Sequence, residues 1–344
     1  MKKIKLDKIN KICRRLSELY SLYVPAEENE SSGFYKWDEE TDINMSLLRT
    51  AKPPKDIVFP QKENLVSFEK NDDLKIEVAE KAPEKTAVLG IRTCDLTAFE
   101  LMDRVFLQEP EDRFYRLRRD NTVMIALGCL DSAETCFCRG FDIQPEKMPE
   151  AADVMIWKLG DNLLWQTGSP EGEELTAEFS DLLEDAAEED RKKLVEKQKL
   201  AEEKHEDSPL SELEPEGITE RIEEVFELPI WDEIHRRCLQ CGICTYICPT
   251  CHCYDIQDYK TSGGGERYRC WDSCQFSAFT RMAHGNPRPT PRERVRQRFM
   301  HKLVYYSREH GEASCVGCGR CVENCPVELD IVEVIRRLGG ENDE

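Results

Sequence analysis

Apolar residues recur at helical spacing at Ile9, Ile12, Leu16 and Leu19, which predicts an amphipathic first helix with one buried face. Ile57-Val58-Phe59 and Leu65-Val66-Ser67-Phe68 read as short strands around Pro60. Ala87 to Ile91 is a stronger strand. A helix follows it from about Asp95 to Phe106, with Leu96, Phe99, Val105 and Phe106 on its apolar face. Thr122 to Leu127 is a second buried strand, and strand, helix, strand in that order predicts a right-handed crossover and parallel pairing. Val154 to Trp157 and Leu163 to Trp165 predict a hairpin around Gly160-Asp161-Asn162. Near the other end, Val295, Phe299 and Leu303 predict a helix over Arg292 to Tyr305, while Ile331, Val332, Val334 and Ile335 open a closing helix.

These elements divide the 344 residues into three pieces. Residues 1–170 predict an α/β domain with a partly parallel sheet. Residues 171–227, dominated by Glu, Asp and Lys, read as an acidic linker or a solvated helical surface segment. Residues 228–344, where Cys, Gly and Pro punctuate short helices, predict a mainly α-helical, ferredoxin-like domain. The fold class is thus mixed, α+β. A formal charge of −21 excludes wholesale binding to nucleic-acid phosphates. No apolar run approaches the roughly 18 residues of a membrane span. The opening Met1-Lys2-Lys3-Ile4 leads into a charged amphipathic stretch rather than a secretory signal, so a cytoplasmic location is expected.

Cysteine changes the picture. The chain has 17, an excess that in a reducing compartment points to metal. Cys238, Cys241, Cys244 and Cys248 with Pro249 form C-x2-C-x2-C-x3-C-P, and Cys315, Cys318, Cys321 and Cys325 with Pro326 repeat it. In such a pair, three closely spaced thiolates wrap three corners of a cubane and the fourth Cys reaches across to the other cluster. The expected ligand sets are therefore Cys238, Cys241, Cys244 and Cys325 for one [4Fe–4S] cluster, and Cys315, Cys318, Cys321 and Cys248 for the other. Zinc wants a C-x2-C plus C-x2-C layout, which two four-thiol runs ending in Cys-Pro do not match. The 66 residues between the motifs exceed a compact ferredoxin, and a helical insert is expected there. That insert carries Cys251, Cys253, Cys270 and Cys274, which are either ligands of a further cluster or buried thiols lining the cubanes.

A third cluster is expected in the amino-terminal piece. Cys94 and Cys129 each follow a strand, so parallel pairing puts both at the carboxyl edge of the sheet, where α/β folds bind ligands. Cys136 and Cys138 follow in a short loop. The helix start at Asp95 offers N–H donors to an anionic cluster. The competing reading is a redox or structural dithiol at Cys136 and Cys138. Cys13, beside the apolar face of the first helix, reads as a core thiol. No G-x-G-x-x-G or Walker-type loop follows any strand, so no flavin or nicotinamide is expected on this chain itself.

From Trp231 to Ile335 the sequence resembles the dicluster subunits of anaerobic redox complexes, such as those of anaerobic sulfite reductase and the β subunit of sulfhydrogenase or hydrogenase. The resemblance rests on Arg237-Cys238 through Cys253-Tyr254-Asp255, on Trp271-Asp272-Ser273-Cys274, on Met300-His301-Lys302 and on the second motif. Arg92-Thr93-Cys94-Asp95-Leu96 and Cys136-Phe137-Cys138 extend it to the amino-terminal piece; Cys270 is a departure from the pattern. The resemblance implies an electron-transfer subunit that relays electrons between a flavin- and NAD(P)-binding subunit and a catalytic subunit. The rivals are a self-contained reductase working at the amino-terminal cluster and a cluster-based redox sensor; the latter lacks a visible DNA-binding helix. His252, His284 and His301 read as surface or packing residues. Arg288, Arg292, Arg294, Arg296, Arg298 and Lys302 form a basic island, read as a partner-docking face, a counter-charge to the clusters or a solvated helix face.

Overall fold

The computed structural model describes residues 1–70, 73–79, 84–206, 210, 213 and 216–339. In chain order its strands are β1 (Lys2–Lys5), β2 (Ser21–Glu28), β3 (Ser31–Lys36), β4 (Lys62–Lys70), β5 (Leu74–Val78) and β6 (Thr86–Arg92). Then come β7 (Thr122–Leu127), β8 (Val154–Leu159), β9 (Asn162–Thr167), β10 (Glu184–Asp185), β11 (Tyr254–Thr261) and β12 (Gly264–Trp271). One sheet has eight strands in the order β10-β1-β9-β8-β7-β6-β2-β3. Its centre is parallel, with β2 beside β6, β6 beside β7 and β7 beside β8, and antiparallel strands flank it on both sides. Near-continuous apolar runs in β6 and β7 are buried on both faces, as the interior of a parallel sheet demands. The helix Ile9–Leu19 buries Ile9, Ile12, Cys13 and Leu16 in one core against the sheet; the helix Thr93–Phe106 contributes Leu96, Phe99, Met102 and Phe106 to another.

Two expectations are corrected. Ile57 to Phe59 is not a strand: a 3-10 turn, Pro54–Ile57, is followed by fully buried Val58 and Phe59. The Phe59 N–H bonds back to the Lys55 carbonyl at 2.8 Å, so the apolar triplet is a compact plug. The insert is not wholly helical either. β11 and β12 form a hairpin in a second sheet, of order β11-β12-β4-β5, that joins the carboxy-terminal piece to residues 62–78. Arg269 of β12 and Glu63 of β4, whose side chains are both 2% exposed, pair across that seam with Nε to Oε2 at 3.0 Å. The acidic stretch holds the helix Glu188–Glu206, which turns Leu194, Ala201 and His205 inward.

The remaining helices gather around the cysteine motifs. Pro291–Met300 opens on a capping box made by Thr290 and Glu293, and continues as a π turn, His301–Tyr305, that places both Arg298 and Lys302 inward. Ile331–Gly339 buries Ile331, Val332, Val334, Ile335 and Leu338 against it. The two halves meet at a small core of Ala98, Leu101, Ile143, Tyr306 and Val316, where the Tyr306 hydroxyl donates to the Leu101 carbonyl at 2.6 Å. No helix among the described residues is long and apolar enough to cross a membrane.

Candidate iron–sulfur sites

β6 and β7 are parallel neighbours, and they deliver Cys94 and Cys129 to one edge of the sheet. A bulge at Gly90 (φ 85°) shifts the register just before Arg92, whose buried Nη1 donates to the Gly128 carbonyl at 3.0 Å. Gly128 is required by close packing, because a Cβ there would stand 2.3 Å from the Trp157 indole. Burial, then Asp95 and Cys318, pushes the Cys94 thiol well up. Cys129 is raised by burial and by Cys136, and Cys138 by burial and by Cys129 and Cys136. The structure therefore brings Cys94, Cys129, Cys136 and Cys138 into one neighbourhood. Arg49 reaches the same place, with Nη1 3.6 Å from the Cys136 sulfur and 2.8 Å from the Cys318 carbonyl. Left without metal, such buried thiols stay protonated; coordination is what would deprotonate them.

The two repeated motifs wrap their pockets in the same way. Cys238, Cys241, Cys244 and Cys325 line one pocket, and Cys248, Cys315, Cys318 and Cys321 line a second. The third residue of each motif is left-handed, Gln240 at φ 54° and Gly317 at φ 57°. The fifth is a glycine at φ 78° (Gly242) or 75° (Gly319) that caps a single helical turn. These turns aim N–H groups at sulfur: Gln240 N lies 3.4 Å from Cys238 Sγ. Beyond the second motif, Leu329 N lies 3.2 Å from Cys325 Sγ. No three Cys, His, Asp or Glu side chains among the described residues converge as they would on one ion. Thiols spread around a pocket, with amide donors to sulfur, fit a cubane.

Buried cations stand between these pockets. Arg298 is 4% exposed beside Cys244 and Cys321, and its Nε has no hydrogen-bond partner among the described residues. The Lys302 ammonium donates to Thr250 Oγ1 at 2.7 Å and to the Ser314 carbonyl at 2.9 Å, next to Cys248 and Cys315. Lys55 donates to the Cys251 carbonyl at 2.8 Å and lies 4.1 Å from the Trp271 ring centroid. Sequence reasoning missed Lys55, which carries no signal beyond its place after Pro53-Pro54. The basic island splits: Arg298 and Lys302 turn to the thiols, Arg294 bonds the Gln240 amide at 3.0 Å, and Arg292 pairs with Asp232 at the surface.

Of the insert thiols, Cys251, Cys253 and Cys274 line a cavity of about 330 Å3 together with His252, His301, Arg288, Arg298 and Lys302. Cys270 is not brought to them. It sits on β12 opposite Asp255, near Asp272 and Lys62. His252 and His301 are ring neighbours at 5.7 Å, and burial lowers them to about 4 and about 3. His284 is exposed. Cys13 lies in the first core, where burial pushes its thiol up to about 12.

A family model described as a 4Fe-4S dicluster domain matches residues 237–329. Sulfhydrogenase 2 subunit beta of Pyrococcus furiosus is 30% identical over 323 residues, which cover 93% of each chain. No solved structure gives a significant match.

Proposed function

This chain belongs to the family of sulfhydrogenase β subunits, iron–sulfur electron-transfer subunits of hydrogenase-type oxidoreductases, and on that premise we propose that it relays electrons between a flavin- and NAD(P)-binding subunit and a catalytic subunit. The observation that carries the reading is the succession of thiol sets. Cys94 of the sheet edge neighbours Cys318 of the second motif. Cys321 of the second and Cys244 of the first share Arg298. The first motif ends at the surface, with Cys241 exposed and Leu239 64% exposed.

In this reading the sets Cys238, Cys241, Cys244, Cys325 and Cys315, Cys318, Cys321, Cys248 each hold a [4Fe–4S] cluster, and Cys94, Cys129, Cys136, Cys138 hold a third. Each cluster supplies reversible one-electron chemistry. The chain's own residues do the rest. Arg298, Lys302 and Arg320 offset the negative charge of the thiolates in a poorly solvated interior, which favours the reduced state. Val316, Phe137 and Ile331 keep water from the second pocket. Leu239 and Ile243 present an apolar rim where a partner can approach the first. Seventeen cysteines, twelve of them between Cys238 and Cys325, suit metal binding in a reducing cytoplasm.

The test is anaerobic purification with iron and acid-labile sulfide counted per chain. About twelve irons are expected from the three sets at four each, and C321A should lose one EPR-active centre and about four irons while the chain still folds. A colourless chain loaded with zinc would sink the proposal.

A further inference from the structure

We propose that the cavity between the two motifs is itself a cluster site, holding an additional polynuclear iron–sulfur centre on Cys251, Cys253 and Cys274. The inference rests on the iron–sulfur reading of the chain and extends it to thiols that neither repeated motif uses. Three observations carry it.

The first is how the thiols are held. Cys251 and Cys253 lie in the loop that leaves the first motif, and Cys274 lies in the turn that leaves β12. The Asp272 N–H donates to the Cys253 carbonyl at 2.9 Å, and the Ser273 hydroxyl lies 2.9 Å from that of Thr245, so the two segments are tied. Gln275 Nε2, anchored on the Arg294 carbonyl at 2.9 Å, also lies 3.7 Å from the Cys274 sulfur. This is the support a ligand needs from its neighbours.

The second is charge. Arg298 and Lys302, 4% and 3% exposed, both line this cavity, and the charged partners that act on them most strongly are thiols. Arg288 also lines the cavity. A cavity of about 330 Å3 lined by both buried cations and thiols asks for an anionic occupant that bonds sulfur. A thiolate-ligated iron–sulfur cluster has that chemistry.

The third is spacing. Cys253 and Cys274 stand within hydrogen-bonding reach of each other while Cys251 stands beside Cys248, so the three do not gather around a single ion, and a polynuclear core is the occupant that can bridge them. His252 and His301 complete the wall. The His252 Nδ1 lies 3.0 Å from the Thr250 carbonyl and donates to it, which leaves Nε2 with a free lone pair as a nitrogen donor for an iron that no cysteine serves.

The experiment is iron and sulfide analysis of the full chain, purified without air, as wild type, C253A/C274A, C270A and C321A. Beyond the twelve irons of the three sets, the proposal expects four more, about sixteen in the wild type, and a count of about twelve overturns it. C253A/C274A should hold about four fewer, and C270A should match the wild type. Equal iron in C253A/C274A and the wild type overturns it, and so does a loss in C270A as large as in the double variant. Should C253A/C274A not accumulate, C251A and C274A singly are held to the same difference. C321A separates the two levels: if it loses its four irons while C253A/C274A loses none, the relay stands and this site falls. If neither loses iron, both readings fall.

Discussion

Ile243 and Arg320 hold the same place in the two cysteine motifs, one residue past the glycine and between the second and third thiols. Their surroundings are opposite. Ile243 is 39% exposed on the surface. Arg320 is fully buried, bonded to both Asp95 oxygens at 2.6 and 2.7 Å and to the Thr50 carbonyl at 2.7 Å. The first motif thus opens to solvent, while the second is roofed by the amino-terminal half. The Phe137 N–H bonds the Gly317 carbonyl at 2.8 Å, and Arg49 bonds the Cys318 carbonyl at 2.8 Å. One spacing serves two tasks because the cluster-wrapping turns are local, whereas what covers them is decided by distant parts of the chain.

The comparison breaks most decisively at the buried pair. R320M leaves the Asp95 carboxylate without its partner in the interior, a change that costs roughly 3–5 kcal/mol. I243M at the matching surface place costs about 0.5 kcal/mol or less. Anaerobic urea unfolding of the two variants measures the contrast, and equal costs would show that the roof does not matter.

The glycines give a smaller version of the same contrast. A Cβ at Gly319 would stand 2.2 Å from the Thr135 carbonyl oxygen, which is backbone and cannot turn aside. At Gly242 it would meet the Phe276 ring at 2.7 Å, and a ring can rotate. Both positions are left-handed, so alanine is strained at each. G319A is expected to lose about 3 kcal/mol and G242A about 1–2 kcal/mol in the same assay.

The smallest effect on the fold comes from the open rim. L239K should unfold within about 0.5 kcal/mol of the wild type and keep its iron. Stopped-flow electron exchange with the partner subunit should nevertheless slow about tenfold, the equivalent of ~1.4 kcal/mol of lost contact. An unchanged rate would move the exit point elsewhere.

How much of this was legible in the sequence follows from which forces are local. β6, β7 and the helix between them could be read because their apolar runs are buried on both faces. The turns of the motifs could be read because cysteine spacing constrains them directly. The hairpin of β11 and β12 escaped notice because all of β11 is exposed and its residues are mostly polar, although Thr261-Ser262-Gly263-Gly264-Gly265 is a turn signal. Ile57 to Phe59 misled because three apolar residues plug a gap as readily as they extend a sheet. Lys55 carries no sign of burial in one dimension, and there Arg298 and Lys302 read equally as docking groups, counter-charges or solvated cations; the burial that decides among these comes from distant parts of the chain.

The Asp95–Arg320 pair spans 225 positions, and it bears on how the protein is made. When the ribosome has released the sheet edge with Asp95 and its neighbouring thiol, the arginine that completes that region has not yet been synthesised. Closure of the amino-terminal half therefore waits for the last stretch of the polypeptide. A chain truncated before Arg320 is left with an unpaired carboxylate where a lock should be.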